Sequence, residues 1–354
     1  MQLFSLIRPI IHLLPPEQAH NLGLFALAHG LLPAAKPFDD PMLHVDVMGL
    51  HFSNPVGLAA GFDKNAIAVD GLLAQGFGFV EAGTTTPRPQ PGNDRPRIFR
   101  LKEDEAVINR LGFNNHGHEI FTRNFCVHGK HNGVVGANIG KNKDSADALH
   151  DYAHGIKAVY AMADYITINI SSPNTKGLRD LQQQEALDIL LKELMKVRNE
   201  SADISHRKVP LILKVAPDLT KEQKQDVAKL VMAHKLDGMI VSNTTISRPD
   251  ALRSANKKEE GGLSGKPLSG LSTEALADFY RLTSGTIPLI GVGGIASAED
   301  AYAKIRSGAS LVQLYTALVY QGFGVVREIQ HGLVELLKRD GFTNITQAIG
   351  ADID

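Results

Sequence analysis

Eight short apolar runs, each ending in a polar or glycine-rich turn, set the architecture of this chain. They occupy residues 55–59, 77–82, 133–137, 165–168, 211–215, 238–241, 289–292 and 311–314. Most are apolar throughout rather than alternating, the pattern of strands covered on both faces. Helical patterns separate them. Residues 221–234 open with Thr220 and Gln223 at capping-box spacing. Residues 298–307 open with Ser297 and Asp300, the same device with a shorter acid. Leu187, Leu190, Leu191 and Leu194 form one stripe in 185–198, and 145–160 and 273–282 behave alike. Strands alternating with helices form a parallel sheet with right-handed crossovers. Eight such units close most naturally into an α/β fold of the (β/α)8 (TIM) barrel type, with an open doubly wound sheet as the alternative. A length of 354 residues fits one barrel with extensions.

Two pieces lie outside the barrel pattern. Residues 1–36 read as a small helical extension, with helices over 2–14 and 17–32 split by Pro15-Pro16 and a linker over 33–41. The barrel domain is expected over 42–340, followed by a tail over 341–354. Within the barrel, 87–115 carries Pro87, Pro89, Pro91 and Pro96 and reads as an extended loop. Lys plus Arg is 37 against 38 Asp plus Glu, so no cationic excess supports nucleic-acid binding. One cysteine, Cys126, excludes an intrachain disulfide framework and a cysteine-based metal cluster. No apolar stretch reaches membrane-spanning length, and the first residues lack the basic region of a secretory signal.

In a parallel barrel, chemistry gathers where strands end and βα loops begin. Those points here read Ala60-Gly61-Phe62-Asp63-Lys64, Gly83-Thr84-Thr85-Thr86, Asn138-Ile139-Gly140-Lys141, Asn169 through Asn174, Lys214, Ser242-Asn243-Thr244-Thr245, Gly293-Gly294 and Tyr315-Thr316. Any single Asn or Ser there reads better as a turn former or helix cap than as a ligand contact. That reading weakens when all eight ends are polar and Asn169 and Lys214 sit inside apolar runs. A lysine on a buried strand needs a negative partner, either a structural carboxylate or a ligand. Gly291-Val292-Gly293-Gly294 suits either a tight turn or a phosphate cradle made by backbone amides. The residues thus describe a barrel enzyme with a phosphorylated ligand, amides for a planar polar ring and no metal cluster. Flavin mononucleotide (FMN) and a sugar phosphate both fit.

Longer motifs narrow this. Residues 15–20, 59–64, 86–93, 109–115, 138–143, 169–175, 261–268 and the tail 345–352 follow one another in the order seen in a known family. Across nearly its whole length the chain resembles the class 2, membrane-associated, quinone-linked dihydroorotate dehydrogenases of pyrimidine biosynthesis. The resemblance implies oxidation of (S)-dihydroorotate to orotate on the route to UMP, with hydride passing to FMN and electrons then to ubiquinone or menaquinone. It implies FMN contacts from Ala60, Gly61, Phe62, Asp63, Lys64, Thr84, Asn138, Asn169, Lys214, Ser242, Gly265, Gly294, Tyr315 and Thr316. It implies substrate contacts from Lys64, Asn109, Arg110, Leu111, Gly112, Phe113, Asn169, Asn174, Asn243 and Thr244. Ser172 occupies the position of the catalytic base. Ser242 stands where some relatives have Thr, and Thr85 where Val is common.

The chemistry agrees with these roles. Dihydroorotate loses a proton from C5 and a hydride from C6, so the base must face the ring from the side opposite the flavin. A serine hydroxyl is a poor base unaided and needs a hydrogen-bonded relay, for which Thr175 and water are the candidates. Soluble relatives use Cys at this position, whereas Cys126 lies in an early helix. At the N-terminus, Leu3, Phe4, Leu6, Ile7, Ile10, Ile11, Leu13 and Leu14 cover more than one helical face, as do Leu22, Leu24, Phe25, Leu27, Leu31 and Leu32 in the next helix. Docking on the barrel needs one face only; the surplus suits a membrane surface or a lipid tunnel. The resemblance implies that a quinone enters here, near His20, Arg100 and Tyr315. It also implies a peripheral protein on the cytoplasmic face of a bacterial inner membrane. Three rivals differ in kind. A flavin barrel that reduces tRNA uridines needs a basic surface and a catalytic cysteine. A phosphosugar isomerase is colourless. A quinone carrier on a dead barrel does not turn over dihydroorotate.

Overall fold

The computed structural model of the chain describes residues 3–126 and 131–353. The expected helix over 2–14 is therefore seen only from Leu3 onward, its first residue lying outside the described residues. Eight parallel strands close into a barrel in chain order: β1 Val56–Leu58, β2 Phe79–Thr85, β3 Val134–Ile139, β4 Tyr165–Asn169, β5 Leu211–Val215, β6 Gly238–Val241, β7 Leu289–Val292 and β8 Ala309–Leu314. The pairing of β8 with β1 seals the ring. Apart from Ser310, every strand residue is buried, because helices cover the outside and side chains fill the inside. The open sheet is thereby excluded.

The inside is filled unevenly. Tyr165 and Phe79 plug the lower barrel, and Gly136 and Gly57 face them; a Cβ on either glycine would overlap the opposing ring. A short hairpin, Val45–Val47 with Leu50–Phe52, closes that end and sets Phe52 edge-on to Phe79 at 5.3 Å. Toward the carboxyl ends of the strands the filling becomes polar: Glu81, Asn138, Thr167, Asn169, Lys214 and Gln313 are all buried.

Helices wrap the barrel: α3 Val69–Leu73, α4 Gly117–Cys126, α5 Ala148–Val159, α6 Gln184–Ser205, α7 Lys221–Ala233, α8 Ser269–Leu282, α9 Ala298–Arg306, α10 Thr316–Gln321 and α11 Gly324–Asp340, preceded by α1 Leu3–Ile11 and α2 Pro16–Ala28. The capping box at Thr220 and Gln223 is formed, and Ser297 caps α9 through Asp300. Pro16 starts α2 rather than lying in the break, since a first helical position has no amide to lose. In the tail, Ile345 and Ala348 are buried, so the last residues belong to the barrel's packing.

The 87–115 segment is more than an extended loop. It contains a hairpin, Ile98–Leu101 with Ala106–Asn109, which pairs with Gly262–Gly265 in a three-stranded antiparallel sheet. Leu101, Ala106, Ile108, Leu252 and Leu263 give it a small core of its own. Its two four-residue strands flank a charged turn, too short a pattern to read in the sequence.

α1 and α2 cross the barrel mouth. Arg8 donates to the Tyr320 carbonyl at 3.0 Å, His12 to that of Val319 at 3.0 Å, and Arg100 to those of His12 and Leu14. Of the thirteen exposed large apolar side chains among the described residues, eight lie between Leu6 and Leu31. Among the described residues, no helix is long and apolar enough to cross a membrane.

Candidate active site

The mouth of the barrel opens into a cavity of about 780 Å³ that continues between α1 and α2. Its floor is a hydrogen-bonded polar sheet. Asn169, at the end of β4, donates to Thr84 Oγ1 at 3.0 Å and to Asn138 Oδ1 at 3.1 Å. Asn138 in turn donates to Glu81 at 2.7 Å, and Glu81 also accepts from Tyr165 and Gln313. Ser171 and Asn243 both donate toward Asn169 Oδ1, and Tyr152 holds its carbonyl from behind at 2.7 Å. Each amide is oriented by the next, so the exposed faces present a fixed set of donors and acceptors.

Lys214 pairs in register with Asn169 and is 4% exposed. Among the described residues its ammonium makes no hydrogen bond, and it lines the cavity. Burial lowers its pKa, and the Glu81 carboxyl opposes that shift. Lys64 lines the same cavity, donates to the Gly61 carbonyl at 2.6 Å, and is lowered to about 8 by burial. Two cations thus face one space with few partners of their own, an arrangement suited to anionic or electron-rich ligands.

Ser172 lies in the loop after β4, 6% exposed, on the cavity wall. Its Oγ accepts from the Asn174 amide at 3.3 Å, which leaves its own proton free to turn. Asn174 donates to the Asn109 carbonyl at 3.1 Å, and Asn243 to Ser171 Oγ at 2.9 Å. Thr175 stands outside the lining, and its buried Oγ1 has no hydrogen-bond partner.

Across the mouth, Gly293 and Gly294 take left-handed φ values of 110° and 77°. A Cβ on Gly294 would come within 2.7 Å of the Ser269 amide nitrogen, so the loop sits directly on the start of α8. That helix has no side-chain cap and no acid in its first turn. Gly265, Gly294, Tyr315 and Thr316 meet here in a concave, amide-rich corner.

The opposite wall is apolar: Phe4, Ile7, Ile11, Ala19, Leu22 and Ala26. His20 stacks edge-on to Phe62 at 4.9 Å and lies near Tyr315. Burial, helped by Lys64, lowers His20 to about 3, so the ring is neutral at ordinary pH. Arg100 also lines this wall.

All but three of the expected site residues line the cavity. Asp63 does not; its buried carboxyl accepts from the Asn65, Ile67 and Ala68 amides and shapes the turn below Lys64. Arg110 turns outward to Glu259 at 2.8 Å and lies over the Phe99 ring. Asn138 sits one layer beneath the surface, where it orients Asn169. The family resemblance implies contacts from these three, but neighbouring residues in a turn or strand point in different directions. Glu81 and Gln313 went unnoticed. Glu81 carried a readable signal, the same one that marked Lys214: a charge inside an apolar run.

Comparison with known proteins adds a family. A family model described as dihydroorotate dehydrogenase matches residues 42–337. A dihydroorotate dehydrogenase (quinone) from Xanthobacter autotrophicus is 54% identical over 100% of both chains. Its counterpart from Parvibaculum lavamentivorans is 52% identical, also over 100% of both. A crystal structure of DHODH from Eimeria tenella in complex with ferulenol superposes with a TM-score of 0.91 at 44% identity, covering 95% of each chain.

Proposed function

The chain belongs to the quinone-linked dihydroorotate dehydrogenases, and from that premise we propose that it oxidises dihydroorotate to orotate with FMN as hydride acceptor and a membrane quinone as final oxidant. The observation that carries this reading is the single cavity with a cationic, amide-rich floor and an apolar outlet between α1 and α2. Per turnover, dihydroorotate gives up a C5 proton and a C6 hydride, and the quinone leaves as quinol.

The residues present fit a flavin. Lys214 offers a charge without a hydrogen-bond partner, and the Gly265–Gly294 corner offers amides and close backbone approach where a side chain would not fit. FMN supplies a two-electron acceptor that hydride can reach and that a quinone can reoxidise. Thr84, Asn169, Lys214 and Ser242 would hold its ring, and Gly265, Gly294, Tyr315 and Thr316 would hold its phosphate end.

Ser172 takes the C5 proton. Asn174 directs a lone pair of its Oγ, and the unpartnered Thr175 hydroxyl is the group we assign to the relay onward. Asn109, Asn174, Asn243 and Thr244 match the ring's imide groups, and Lys64 holds the carboxylate. Phe113 and the Asn109–Gly112 backbone close over the substrate and exclude water. His20, Arg100 and Tyr315 flank the quinone ring, with α1 and α2 guiding its tail. Their exposed apolar faces seat the protein peripherally on a membrane, in a bacterium the cytoplasmic face of the inner membrane.

The visible spectrum tests the proposal. The purified protein is expected to be yellow, to bleach under anaerobic dihydroorotate and to recover its colour with a quinone. A colourless protein, or a flavin untouched by dihydroorotate, rejects it.

A further inference from the structure

Lys304 is 1% exposed, deep behind the amide-rich corner. Its stem runs from α9 beneath β7, where Gly291 makes room: a Cβ there would come within 3.1 Å of Lys304 Cδ. Its ammonium donates to Ser272 Oγ at 2.7 Å, to Thr273 Oγ1 at 2.7 Å and to the Ser269 carbonyl at 3.4 Å. All three acceptors are neutral and belong to the first turns of α8. Asp300 lies one turn back on α9, but it accepts from the Ala296 amide and forms no ion pair with Lys304. Burial lowers the lysine to about 7, a shift that the Asp300 carboxylate, not in contact with it, opposes only in part.

An ammonium buried without a carboxylate is destabilising unless a negative group completes it. Here the missing charge has an address. Ser272, which accepts from Lys304, donates to the Gly293 carbonyl at 3.0 Å. Gly293 in turn sits on Ser272 and Leu268, Gly294 sits on Ser269, and both line the cavity. The lysine is thus wired through one hydroxyl to the glycine loop, and it stands behind the same uncapped helix start that the loop covers.

We propose that Lys304 is a positioning residue for the phosphate of the bound flavin: it acts from behind α8, through Ser272 and the Gly293–Gly294 loop, as the buried counter-charge to a phosphate dianion it does not touch. This rests on the reading of the corner as the FMN phosphate site. Gly291, whose φ is not left-handed, leaves room for the lysine stem between the Ala309 and Leu276 side chains. The positioning role explains why the ammonium is satisfied by hydroxyls: a carboxylate there would neutralise the charge and cancel its field at the loop.

The test separates phosphate from ring. Lys304→Met keeps the stem and removes the charge; Ser272→Ala keeps the charge and removes the wire. Full-length wild type and both variants are reconstituted with FMN or with riboflavin, which lacks the phosphate, and flavin fluorescence reports the dissociation constants. Lys304→Met is expected to weaken FMN about tenfold while leaving riboflavin unchanged, and Ser272→Ala to weaken FMN by a smaller factor. The flavin-free Lys304→Met protein is expected to melt higher than wild type, because an uncompensated buried charge is gone. Equal losses for FMN and riboflavin, or undiminished FMN affinity, overturn the proposal, as does a flavin-free variant that melts lower. If wild type binds neither flavin, the functional reading itself fails, and that outcome is distinct from the others.

Discussion

Asn138, Asn169 and Lys214 at the barrel mouth are 0%, 3% and 4% exposed, whereas Ile10, Leu13 and Leu31, in or just beyond the helix pair, are 67%, 84% and 64% exposed. Polar groups are inside and apolar groups outside, the reverse of the usual partition, on the two sides of one cavity. The floor tolerates burial because each polar group is held by another, through Glu81, Asn138, Thr84 and Asn169. Such a network is rigid, and rigidity is what a reaction that positions a ring against a flavin requires. The helix pair has few such constraints. Among the described residues of α2, only Leu27 is buried. Its apolar surface suits the second phase proposed above, lipid or quinone tail, that lies outside the chain. The comparison teaches that one cavity can serve a polar and an apolar substrate when two separately built walls share it.

The two walls are joined by charge. Glu17 at the start of α2 accepts from Arg97 at 2.6 Å and from Arg95 at 3.1 Å. Arg97 also holds the Pro91 and Asn93 carbonyls, and Asn93 donates to those of Arg110 and Asn174. The latch therefore runs from the helix pair to the loop beside Ser172.

The sharpest way to separate the walls is at the base. Ser172→Ala is expected to purify with full flavin yet slow the anaerobic bleaching by dihydroorotate about 10²–10⁴-fold. Stopped-flow reduction at near wild-type rate would remove Ser172 from the chemistry. On the other wall, Leu13→Ser combined with Phe25→Ser is expected to weaken partition onto lipid vesicles about tenfold or more, from roughly 25 cal/mol per Å² of apolar area lost. Flavin reduction should stay normal, since neither side chain lines the floor; a parallel loss in both assays would show that the walls are not independent. The latch gives a smaller effect. Glu17→Ala leaves the buried Arg97 guanidinium without its carboxylate and should lower unfolding stability by up to about 3 kcal/mol, measured by denaturant titration. An unchanged midpoint would mean the carbonyls alone satisfy Arg97.

The smallest effect is in pH. Lys64 is protonated below its depressed value of about 8 and loses its charge above it. If it holds the substrate carboxylate, kcat/KM should be flat below pH 8 and fall about tenfold per unit above it, while kcat changes less. The inflection should vanish in Lys64→Gln. His20, already neutral, should add no inflection between pH 5 and 8.

What could be read along the chain was whatever depends on local order. Strand and helix periodicity, the caps at Thr220 and Ser297, and the polar ends of eight strands follow from neighbours in sequence. Because every strand of a parallel barrel ends at the same face, that list alone assembled much of the polar floor of the cavity. Side-chain direction needed the fold. Asp63, Arg110 and Asn138 sit beside lining residues in sequence but face a turn, an outer carboxylate and the layer below. The hairpin within 87–115 pairs with Gly262–Gly265, more than 150 residues away, so nothing local announces it. Lys304 shows the limit best. In sequence it is the one lysine of a short helix rich in charged residues and would be taken for a solvated one. Only the packing of α9 under β7 and against α8 buries it, and burial is what turns an ordinary charge into one that demands a partner.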